Sequence, residues 1–443
     1  MAKLTLKQAA QMCGGYVEPQ YEDVEFFGAN NDTRIIKPGQ LFIVLQGARD
    51  GHDFIPMAME KGAGAVLCSR KVGDYPAIYV EDPRIALGRI ARAELDRIGC
   101  KRVGVTGSVG KSTTKEMIAS VLETTYRVSK TPANHNNDIG MPMAVLSMEE
   151  DTEVAVLEMG MNHFREIAYL SEIAKPDVGV IINVGTMHIE YLGSREGIRK
   201  AKMEIVEGMA PNGRLLLNGD NDLLRNLGEI PVQPITYFGS DSECAVYGTE
   251  VCQQPGLLQF SVAAGEQTFP VEMALEGAHF MSDALAAVAV GLEMGVSVER
   301  IRAALADFQN MAGRQEIFEK NGYTIIKDCY NAGPESMAAA LNVLAGRKGR
   351  KIAVLGDMLE LGDCAPAEHE KLGKTAADKA ELIFAYGPNA VYVAKGSHGK
   401  AQVFDDHAKL AEALKAAAEP GDVILFKGSR GMHMEYSLEH FLK

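Results

Sequence analysis

Residues Lys101 to Glu123 read KRVGVTGSVGKSTTKEMIASVLE and hold three predicted elements in a row. Val103 and Val105 indicate the end of a buried strand, and apolar residues from Met117 onward recur at helical spacing. Between them lies a glycine-rich turn. Glycines lack a Cβ atom, so backbone N–H groups can close on phosphate oxygens, and the helix N-terminus adds partial positive charge. The stretch therefore predicts a nucleotide-binding strand, phosphate loop and helix.

The phosphate loop has the pattern TG-x-x-GK-[ST], which is narrower than the general G-x-x-x-x-G-K-[ST], because Gly104 lies one residue too far from Gly110. Lys111 is expected to reach the terminal phosphates, and Ser112 is expected to ligate Mg²⁺. The predicted phosphate contacts are Thr106, Gly107, Ser108, Val109, Gly110, Lys111, Ser112 and Thr113.

Size and composition indicate a multidomain globular protein. At 443 residues the chain exceeds one ordinary core, so two or three domains are expected. A net charge of -14 argues against a general nucleic-acid binder. No apolar run is long enough to span a membrane, no signal-peptide core is visible, and the seven cysteines form no C-x-x-C pair. These features predict a reduced cytoplasmic protein that is not an integral membrane protein.

Strand and helix patterns alternate along most of the chain, which is typical of an α/β fold with mostly parallel sheets. The first run of predicted strands after the phosphate loop is Val154 to Leu157, Val178 to Asn183, and Arg214 to Asn218. A helix is predicted from Leu275 to Gly295, and a hinge at Ala312-Gly313-Arg314. The second run is Thr324 to Lys327, Lys351 to Leu355, Leu382 to Ala385, and Asp422 to Phe426.

Three domains are therefore predicted. Residues 1–83 form a small mixed α/β domain, residues 84–313 a central phosphate-loop domain with a parallel sheet, and residues 314–443 a Rossmann-like α/β domain. GxGxxG is absent, which argues against a hydride-transfer dinucleotide fold. Because ligands of such sheets collect at the carboxyl ends of the strands, polar residues just past each strand are candidate site residues.

Two strand-end residues have alternative interpretations. Glu158 follows the strand letters VAVL, and a carboxylate there can hold Mg²⁺ or serve as a helix N-cap partner. His188 follows VGVIINVG, and is either an ordinary loop histidine or a metal or phosphate contact.

Lys202 is predicted to lie on the apolar face of its own helix, because Ile198, Lys202, Ile205 and Met209 are spaced four, three and four residues apart. Burial of an ammonium lowers its pKa, and a neutral amine can react with CO2 to give a carbamate. A carbamate carries the charge of a carboxylate and suits Mg²⁺. The alternative is a lysine that snorkels past its apolar neighbours.

Polar residues cluster in the first domain between Asp32 and Gly64. Thr33, Arg34, Arg49, Asp50 and His52 crowd the ends of a predicted strand and a short helix. Such a cluster suits a phosphorylated sugar nucleotide, or is a solvated loop.

An ordered set of motifs resembles the Mur ligase family, ATP-dependent amide-forming enzymes of peptidoglycan precursor synthesis, and the resemblance runs through all three domains. In the first two thirds the motifs are TGSVGKST at Thr106, ANHNNDIGMP at Ala133, LEMGMNHFREI at Leu157, NVGTMHIEYLGS at Asn183 and KAKMEI at Lys200. In the last third they are GRQE at Gly313, DCYNAGPESM at Asp328, VLGDMLELG at Val354 and KGSR at Lys427.

The resemblance implies roles for particular residues. The implied catalytic residues are Lys111, Lys202, His188 and Arg314. The implied Mg²⁺ ligands are Ser112, Glu158, His188 and a carbamylated Lys202. Beyond the phosphate loop, the implied ATP contacts are Asn137, His279, Asp283, Arg314 and Asp328. The implied uridine-nucleotide contacts are Thr33, Arg34, Gly47, Arg49, Asp50 and His52, and the implied peptide contacts are Tyr330, Asn331, Asp357 and Glu360.

The resemblance also implies the reaction. ATP and Mg²⁺ are the expected cofactors, and UDP-N-acetylmuramoyl-tripeptide and D-alanyl-D-alanine the expected substrates of a monomer. The carboxylate of the tripeptide is expected to attack the γ-phosphate of ATP, and the dipeptide amine to attack the resulting acyl phosphate. Since Arg314 and Asp328 come from the last domain, closure of the domains is expected to complete the site.

Two positions depart from the usual family pattern. His279, Phe280 and Asp283 stand where the family carries HN-x-x-N, which puts amide contacts to adenine in question. YNANP appears as YNAGP, with Gly333 in place of an amide.

The alternatives are a ligase that adds the third stem residue, a folylpolyglutamate synthase, and a non-catalytic ATP-gated interaction protein. A DNPR-type sequence, typical of the diaminopimelate-adding ligase, is absent, whereas YNAGP and LGDMLELG favour the dipeptide-adding member. A non-catalytic protein would not need Lys202 on an apolar face.

Overall fold

The computed structural model describes residues 3–225, 227 and 234–443, and contains three separate main sheets of five, nine and six strands. The α/β class with parallel sheets is confirmed. Within the described residues, no helix combines the length and apolar character needed to cross a bilayer. The domain bounds at residues 83 and 313 stay predictions.

The first sheet has the order β2-β7-β6-β5-β4, and β1 pairs separately with β3. Its elements are β1 Leu4–Thr5, α1 Leu6–Cys13, β2 Tyr16–Val17, β3 Glu25–Phe26, β4 Ala29–Asn30, β5 Leu41–Ile43, α2 Ile55–Glu60, β6 Ala65–Cys68 and β7 Ala77–Tyr79. Helix α3, Pro83–Ile98, begins at a proline capped by Asp82 and connects this sheet to the next.

The central sheet has the order β16-β15-β14-β13-β12-β11-β8-β10-β9. Its strands are β8 Lys101–Thr106, β9 Val128–Lys130, β10 Val154–Glu158, β11 Val178–Ile181, β12 Arg214–Asn218, β13 Ile235–Gly239, β14 Val246–Gln254, β15 Leu257–Ala264 and β16 Gln267–Met273. Strands β8 to β14 pair in parallel, whereas β14, β15 and β16 form an antiparallel meander that the sequence patterns did not predict.

Helices cover the central sheet and complete its cores. They are α4 Lys111–Glu123, α5 Gly140–Leu146, α6 Glu166–Ala174, α7 Ile189–Leu192, α8 Arg195–Met203, α9 Ile205–Gly208, α10 Asp222–Arg225, α11 Phe280–Glu293 and α12 Val298–Asp307. Met117, Ile118, Val121 and Leu122 of α4 are fully buried, as their spacing predicts. Helix α11 starts five residues later than predicted, and Gly277 before it has a φ of +131°, outside the helical region.

The last sheet has the order β17-β18-β22-β19-β20-β21, and only β17 is antiparallel to its neighbour. Its elements are β17 Glu316–Lys320, β18 Tyr323–Asp328, α13 Pro334–Gly346, β19 Lys351–Gly356, α14 Ala365–Lys379, β20 Leu382–Tyr386, α15 Ala390–Gly396, β21 Ala401–Phe404, α16 His407–Ala417, β22 Val423–Lys427 and α17 Met434–Leu442. The second run of predicted strands is therefore confirmed.

Gly208→Ala should destabilise the central domain, because a Cβ atom at Gly208 would collide with the backbone carbonyl of Ser171 in α6. Backbone cannot move away as a side chain can, so we expect a loss of about 1–3 kcal/mol in the free energy of unfolding. Gly346→Ala is the matched control, since the nearest atom to its Cβ is 3.7 Å away. Urea denaturation of both variants measures the difference; equal midpoints would contradict the packing described.

Candidate active site

The phosphate loop is preformed between β8 and α4. Gly110 adopts a φ of +83°, which favours glycine, and α4 begins at the next residue. Asn183 supports the loop from the end of β11, since its Oδ1 accepts from the N–H groups of Ser108 (2.9 Å) and Val109 (3.0 Å). The Nζ of Lys111 donates to the carbonyls of Gly107 (2.8 Å) and Ser108 (3.3 Å), so the ammonium lies over the loop.

Burial lowers the pKa of Lys111, and the charges of Glu158 and Glu360 only partly oppose this effect. A phosphate group over the loop would accept hydrogen bonds from this ammonium and favour its charged form.

A cavity of about 520 Å³ lies over the phosphate loop and is lined by both the central and the last sheet regions. The predicted site residues that line it are Ser108, Val109, Gly110, Lys111, Ser112, Thr113, Glu158, His188, His279, Asp283, Arg314, Asp328, Tyr330 and Asn331. The structure therefore brings the nucleotide set and part of the peptide set together, although Ser108 and Asn331 are 223 positions apart in the chain.

The predicted metal ligands offer donors that fit Mg²⁺. Oε1 of Glu158 accepts from Nδ2 of Asn136 (2.8 Å), whereas Oε2 is buried without a hydrogen-bond partner. Ser112 Oγ accepts from Nη2 of Arg314 (3.0 Å). Among the described residues no three His, Cys, Asp or Glu side chains converge as a metal cage. Mg²⁺ commonly binds through one or two protein oxygens plus phosphates and waters, so the orphaned carboxylate oxygen fits such an ion.

Lys202 is buried in α8, with 1% of its surface exposed, and Ile198 and Ile205 beside it are fully buried. Burial lowers the pKa of this lysine well below its usual value, and the charge of Lys111 lowers it further. The predicted burial among apolar residues is therefore confirmed and the snorkelling alternative is wrong, although the single helix predicted through Met209 divides into α8 and α9. Lys202 does not line the cavity itself.

The last sheet region contributes a cation and an acid–lysine pair to the cavity. The Arg314 guanidinium lies 4.2 Å from the centre of the Tyr330 ring while it donates to Ser112, so it is held from both sides. Asp328 accepts from Nζ of Lys427 (2.6 Å), which also donates to the carbonyl of Asn331 (2.9 Å).

Two titratable groups line the cavity wall formed by α11. Oδ1 of Asp283 accepts from Thr114 Oγ1 (2.6 Å), and burial raises the pKa of this carboxyl to about 7 against the effects of Thr114 and Arg314. Burial lowers the pKa of His279 to about 4, an effect that the charge of Asp328 partly opposes. His279 is therefore neutral near neutral pH, whereas Asp283 is neutral only at lower pH and loses its proton in the neutral range.

Asp283→Asn should change the pH dependence of stability. Between the ordinary value of 3.8 and about 7, the folded state keeps the proton of Asp283 while the unfolded state loses it. The contribution of Asp283 to the free energy of unfolding of the wild-type protein is therefore fully present at low pH and falls as the pH rises to about 7. The stability of the Asn variant relative to wild type should rise by a few kcal/mol across that window.

Denaturant midpoints of both proteins from pH 4.5 to pH 8 test this expectation. His279 has the opposite effect, because its lowered pKa makes stability fall as pH falls, but this contribution cancels in the difference between the two proteins. A difference that does not change with pH would contradict a proton on buried Asp283.

Several predicted residues lie outside the cavity. Asn137 was expected near the nucleotide, but its Oδ1 accepts from the N–H groups of Ile139 and Gly140 at the start of α5, and Asn136 lies in the cavity instead. Asp357 is buried and accepts from the backbone and side chain of Asn389, so its carboxylate is already occupied. The other predicted residues absent from the lining are Thr106, Gly107, Lys202 and Glu360.

The uridine-nucleotide candidates lie in the first sheet region and do not line the cavity. Asp50 contacts two side chains: its Oδ1 lies 2.6 Å from Nδ1 of His52, and its Oδ2 accepts from Arg70 (2.7 Å). Arg34 is paired with Asp32 and largely exposed, whereas Thr33 is buried. Gly47 and Arg49 lie on the exposed loop before Asp50.

Sequence reasoning did not single out Asn136, Asn183, Lys427 or Glu335. Asn183 and Lys427 follow or end strands, so the rule that ligands collect at strand ends could have found them. Glu335 follows the proline that starts α13, and only the packing of the two sheet regions brings it near the phosphate-loop side.

A preformed phosphate loop, a buried carboxylate beside it and an arginine from a second α/β unit define a nucleotide-dependent enzyme of the phosphate-loop class. The model of the Mur ligase middle domain matches residues 105–291, and that of the Mur ligase, glutamate ligase domain matches residues 313–430. The chain belongs to the Mur ligase family, and is an ATP-dependent, amide-bond-forming ligase.

Similarity to known members extends over the full length. The UDP-N-acetylmuramoyl-tripeptide--D-alanyl-D-alanine ligase of Bacillus subtilis (strain 168) is 41% identical, over 98% of this chain and 97% of that protein. A crystal structure of MurF from Acinetobacter baumannii superposes with a TM-score of 0.94 at 32% identity, over 100% of this chain and 99% of that chain. MurF ligase from Thermotoga maritima in complex with ADP gives a TM-score of 0.85 at 32% identity, over 94% and 97%.

Proposed function

We propose that this chain joins D-alanyl-D-alanine to UDP-N-acetylmuramoyl-tripeptide with ATP, giving the pentapeptide precursor of peptidoglycan, ADP and phosphate. The observation that carries the proposal is the cavity shared by Lys111 of the phosphate loop and Arg314 and Tyr330 of the last sheet region. A transferable phosphate and an acceptor can meet there. Relatives named for this reaction, at up to 41% identity, support the choice of substrates.

In the proposed reaction, the terminal carboxylate of the tripeptide attacks the γ-phosphorus of ATP, the bond to the bridging oxygen breaks, and ADP leaves. The amine of D-alanyl-D-alanine then attacks the carbonyl carbon of the acyl phosphate, loses a proton, and expels phosphate. Lys111 and Arg314 neutralise negative charge on the transferring phosphoryl group, and the buried cavity excludes water that would hydrolyse the acyl phosphate.

Mg²⁺ is proposed to bind at Ser112 and Glu158, with His188 and a carbamylated Lys202 serving a second ion. Bound Mg²⁺ supplies Lewis-acid stabilisation of phosphate charge. The support from this chain is Oε2 of Glu158, which accepts no hydrogen bond and lies 4.0 Å from Nζ of Lys115, and the buried amine of Lys202. The lowered pKa of Lys202 favours the neutral form that reacts with CO2.

The three predicted domains have proposed roles: residues 1–83 bind the uridine nucleotide, residues 84–313 bind ATP, and residues 314–443 bind the dipeptide and close over ATP. The hydrogen bond from Arg314 to Ser112 brings a residue of the last predicted domain onto the phosphate loop, which supports such a closure. Small-angle scattering should show compaction when an ATP analogue and both substrates are added to a more open free enzyme. A cytoplasmic monomer remains the expected form.

The function is tested by ADP release across a panel of muramoyl peptides and dipeptides. Release should require both UDP-N-acetylmuramoyl-tripeptide and D-alanyl-D-alanine. Equal release with and without them would reject a ligase that uses these substrates. Activity with the dipeptide precursor plus a third stem residue, or with folate and glutamate, would instead support one of the two related ligases.

A further inference from the structure

The residues from Gly185 to Glu190, GTMHIE, follow β11 and form the 185–190 segment. Two carboxylates of the last sheet region hold this segment. Oε1 of Glu335 accepts from the backbone N–H (3.0 Å) and from Oγ1 (3.2 Å) of Thr186. Oε2 of Glu360 lies 2.6 Å from Nδ1 of His188, an ion-pair contact with an oblique approach. The segment is therefore contacted at two points from across the cleft.

The same segment is attached to the phosphate loop. The backbone N–H of Gly185 donates to Oγ of Ser108 (2.9 Å), and His188 lines the cavity over that loop. A displacement of the 185–190 segment would therefore move His188 relative to the phosphate site.

Both residues of the second contact have an unusual backbone. His188 has a φ of +66° and Glu360 a φ of +63°, in the left-handed region that non-glycine residues rarely adopt. Such conformations persist where the surroundings impose them, and they concentrate at functional sites. Two of them face each other across this cleft.

Glu360 is held in place from within its own domain. The residues before it are fixed because Nε2 of His369 accepts from the N–H of Met358 (3.0 Å) and Oγ of Ser429 accepts from the N–H of Leu359 (2.9 Å). His369 is fully buried, and its Nδ1 lies 2.7 Å from the carbonyl of Ala365. The two residues before Glu360 are thus braced by other residues of the last sheet region.

Glycines allow the two sides to approach closely. A Cβ atom on Gly185 would lie 2.7 Å from Oε1 of Glu335, and one on Gly333 would lie 2.8 Å from Cγ of Met187. The absence of side chains at both positions keeps the 185–190 segment within reach of the carboxylates.

We propose that Glu335 and Glu360 are positioning residues that together hold the 185–190 segment across the cleft, so that His188 is correctly oriented over the phosphate loop only when the domains close. This role rests on the proposed ligase function. Because Glu360 contacts the ring at Nδ1, Nε2 is the ring nitrogen left to face the bound phosphates. His188 therefore reaches its orientation at the same time as the domains close.

Variants of the full-length chain test the proposal by a split between kcat and KM. Glu335→Ala and Glu360→Ala should each lower kcat by about a hundredfold, because a small misplacement of a site group costs about that much. The KM for ATP should stay within about twofold, since the phosphate loop itself is unchanged. Glu335→Gln should recover much of the rate, because its amide oxygen still accepts from Thr186.

The matched control is Glu412→Gln on the exposed face of α16, which should leave kcat unchanged. Thermal unfolding of all variants separates positioning from folding: the expected rate losses occur with melting temperatures near that of wild type. Glu335→Ala and Glu360→Ala enzymes with kcat close to wild type would overturn the proposal, as would a loss of rate explained entirely by unfolding.

Hydrogen exchange gives a readout independent of turnover. With an ATP analogue bound, the Thr186 amide should exchange at least about tenfold faster in Glu335→Ala than in wild type or Glu335→Gln, because its acceptor is lost. An unchanged exchange rate of the Thr186 amide would contradict the claim that Glu335 holds the segment. If wild type fails to ligate, the proposed function fails, whereas the exchange experiment still reports whether the two carboxylates hold the segment.

Discussion

Replacing Lys111 by methionine should lower kcat by about a thousandfold or more, because the transferring phosphoryl group would lose an ammonium that neutralises its developing charge. Methionine keeps most of the volume of the side chain, and burial already disfavours the ammonium in the free protein. The melting temperature should therefore stay at or above the wild-type value. The loss is predicted to be one of chemistry and not of folding.

Lys415→Met is the control for the loss of a lysine as such, since Lys415 is exposed on α16 and should tolerate the change. ADP release with both substrates at saturation measures the effect. If Lys111→Met retained more than about a tenth of wild-type kcat, this result would contradict the catalytic role assigned to the phosphate loop.

Replacing Lys202 by alanine should lower kcat by about a hundredfold or more, and formate or acetate should restore part of the rate. The physical reason is that alanine leaves space in a buried site where a carbamate would have carried negative charge, and a small carboxylate can occupy that space. ATP affinity should change much less than kcat, because the phosphate loop and the Lys111 ammonium over it are unchanged in this variant.

Lys202→Met separates volume from charge. It fills the space without a carboxylate, so it should be as slow as Lys202→Ala and should not respond to added acids. If formate and acetate do not restore the kcat of Lys202→Ala while its ATP affinity is unchanged, the carbamate role has no support. Rescue of both variants alike would show that the acids act elsewhere.

Local patterns predicted those parts of the fold in which one signal dominates. The phosphate loop combines glycine spacing, a buried strand and an apolar helix face, and the structure has all three between Lys101 and Glu123. Lys202 was placed correctly because a single charged residue within a regular apolar spacing has only one face to occupy. Pro334 and Gly346 mark the ends of α13 because proline suits a first helical turn and glycine ends one.

The missed meander has one irregular strand and two regular ones. Strand β14 alternates buried and exposed side chains only at its start, and its pairing is irregular between Thr249 and Cys252. Strands β15 and β16 do alternate, a period-two signal that the sequence analysis did not use. The strand character of β14 is stabilised by pairing that a local pattern does not contain. Asn137 and Asn136 are adjacent amides, and only the turn into α5 decides which one reaches Glu158.

The contacts across the cleft were the least predictable part of the site. Arg314 and Ser112 are separated by 202 positions, and Thr186 and Glu335 by 149. Family resemblance indicated Arg314, but no local signal indicated Glu335, because its partner is defined by the packing of the two sheet regions. Conversely, Asp357 was expected at the peptide site, and the structure places its carboxylate on Asn389.

The central claim is that a substrate carboxyl group is activated by direct transfer of the γ-phosphoryl group of ATP. It is tested most directly by labelling the terminal carboxylate of UDP-N-acetylmuramoyl-tripeptide with ¹⁸O and analysing the released phosphate by mass spectrometry. An acyl phosphate requires that one labelled oxygen leave with the phosphate when D-alanyl-D-alanine attacks. Released phosphate free of ¹⁸O, at full conversion to the amide product, would contradict the account.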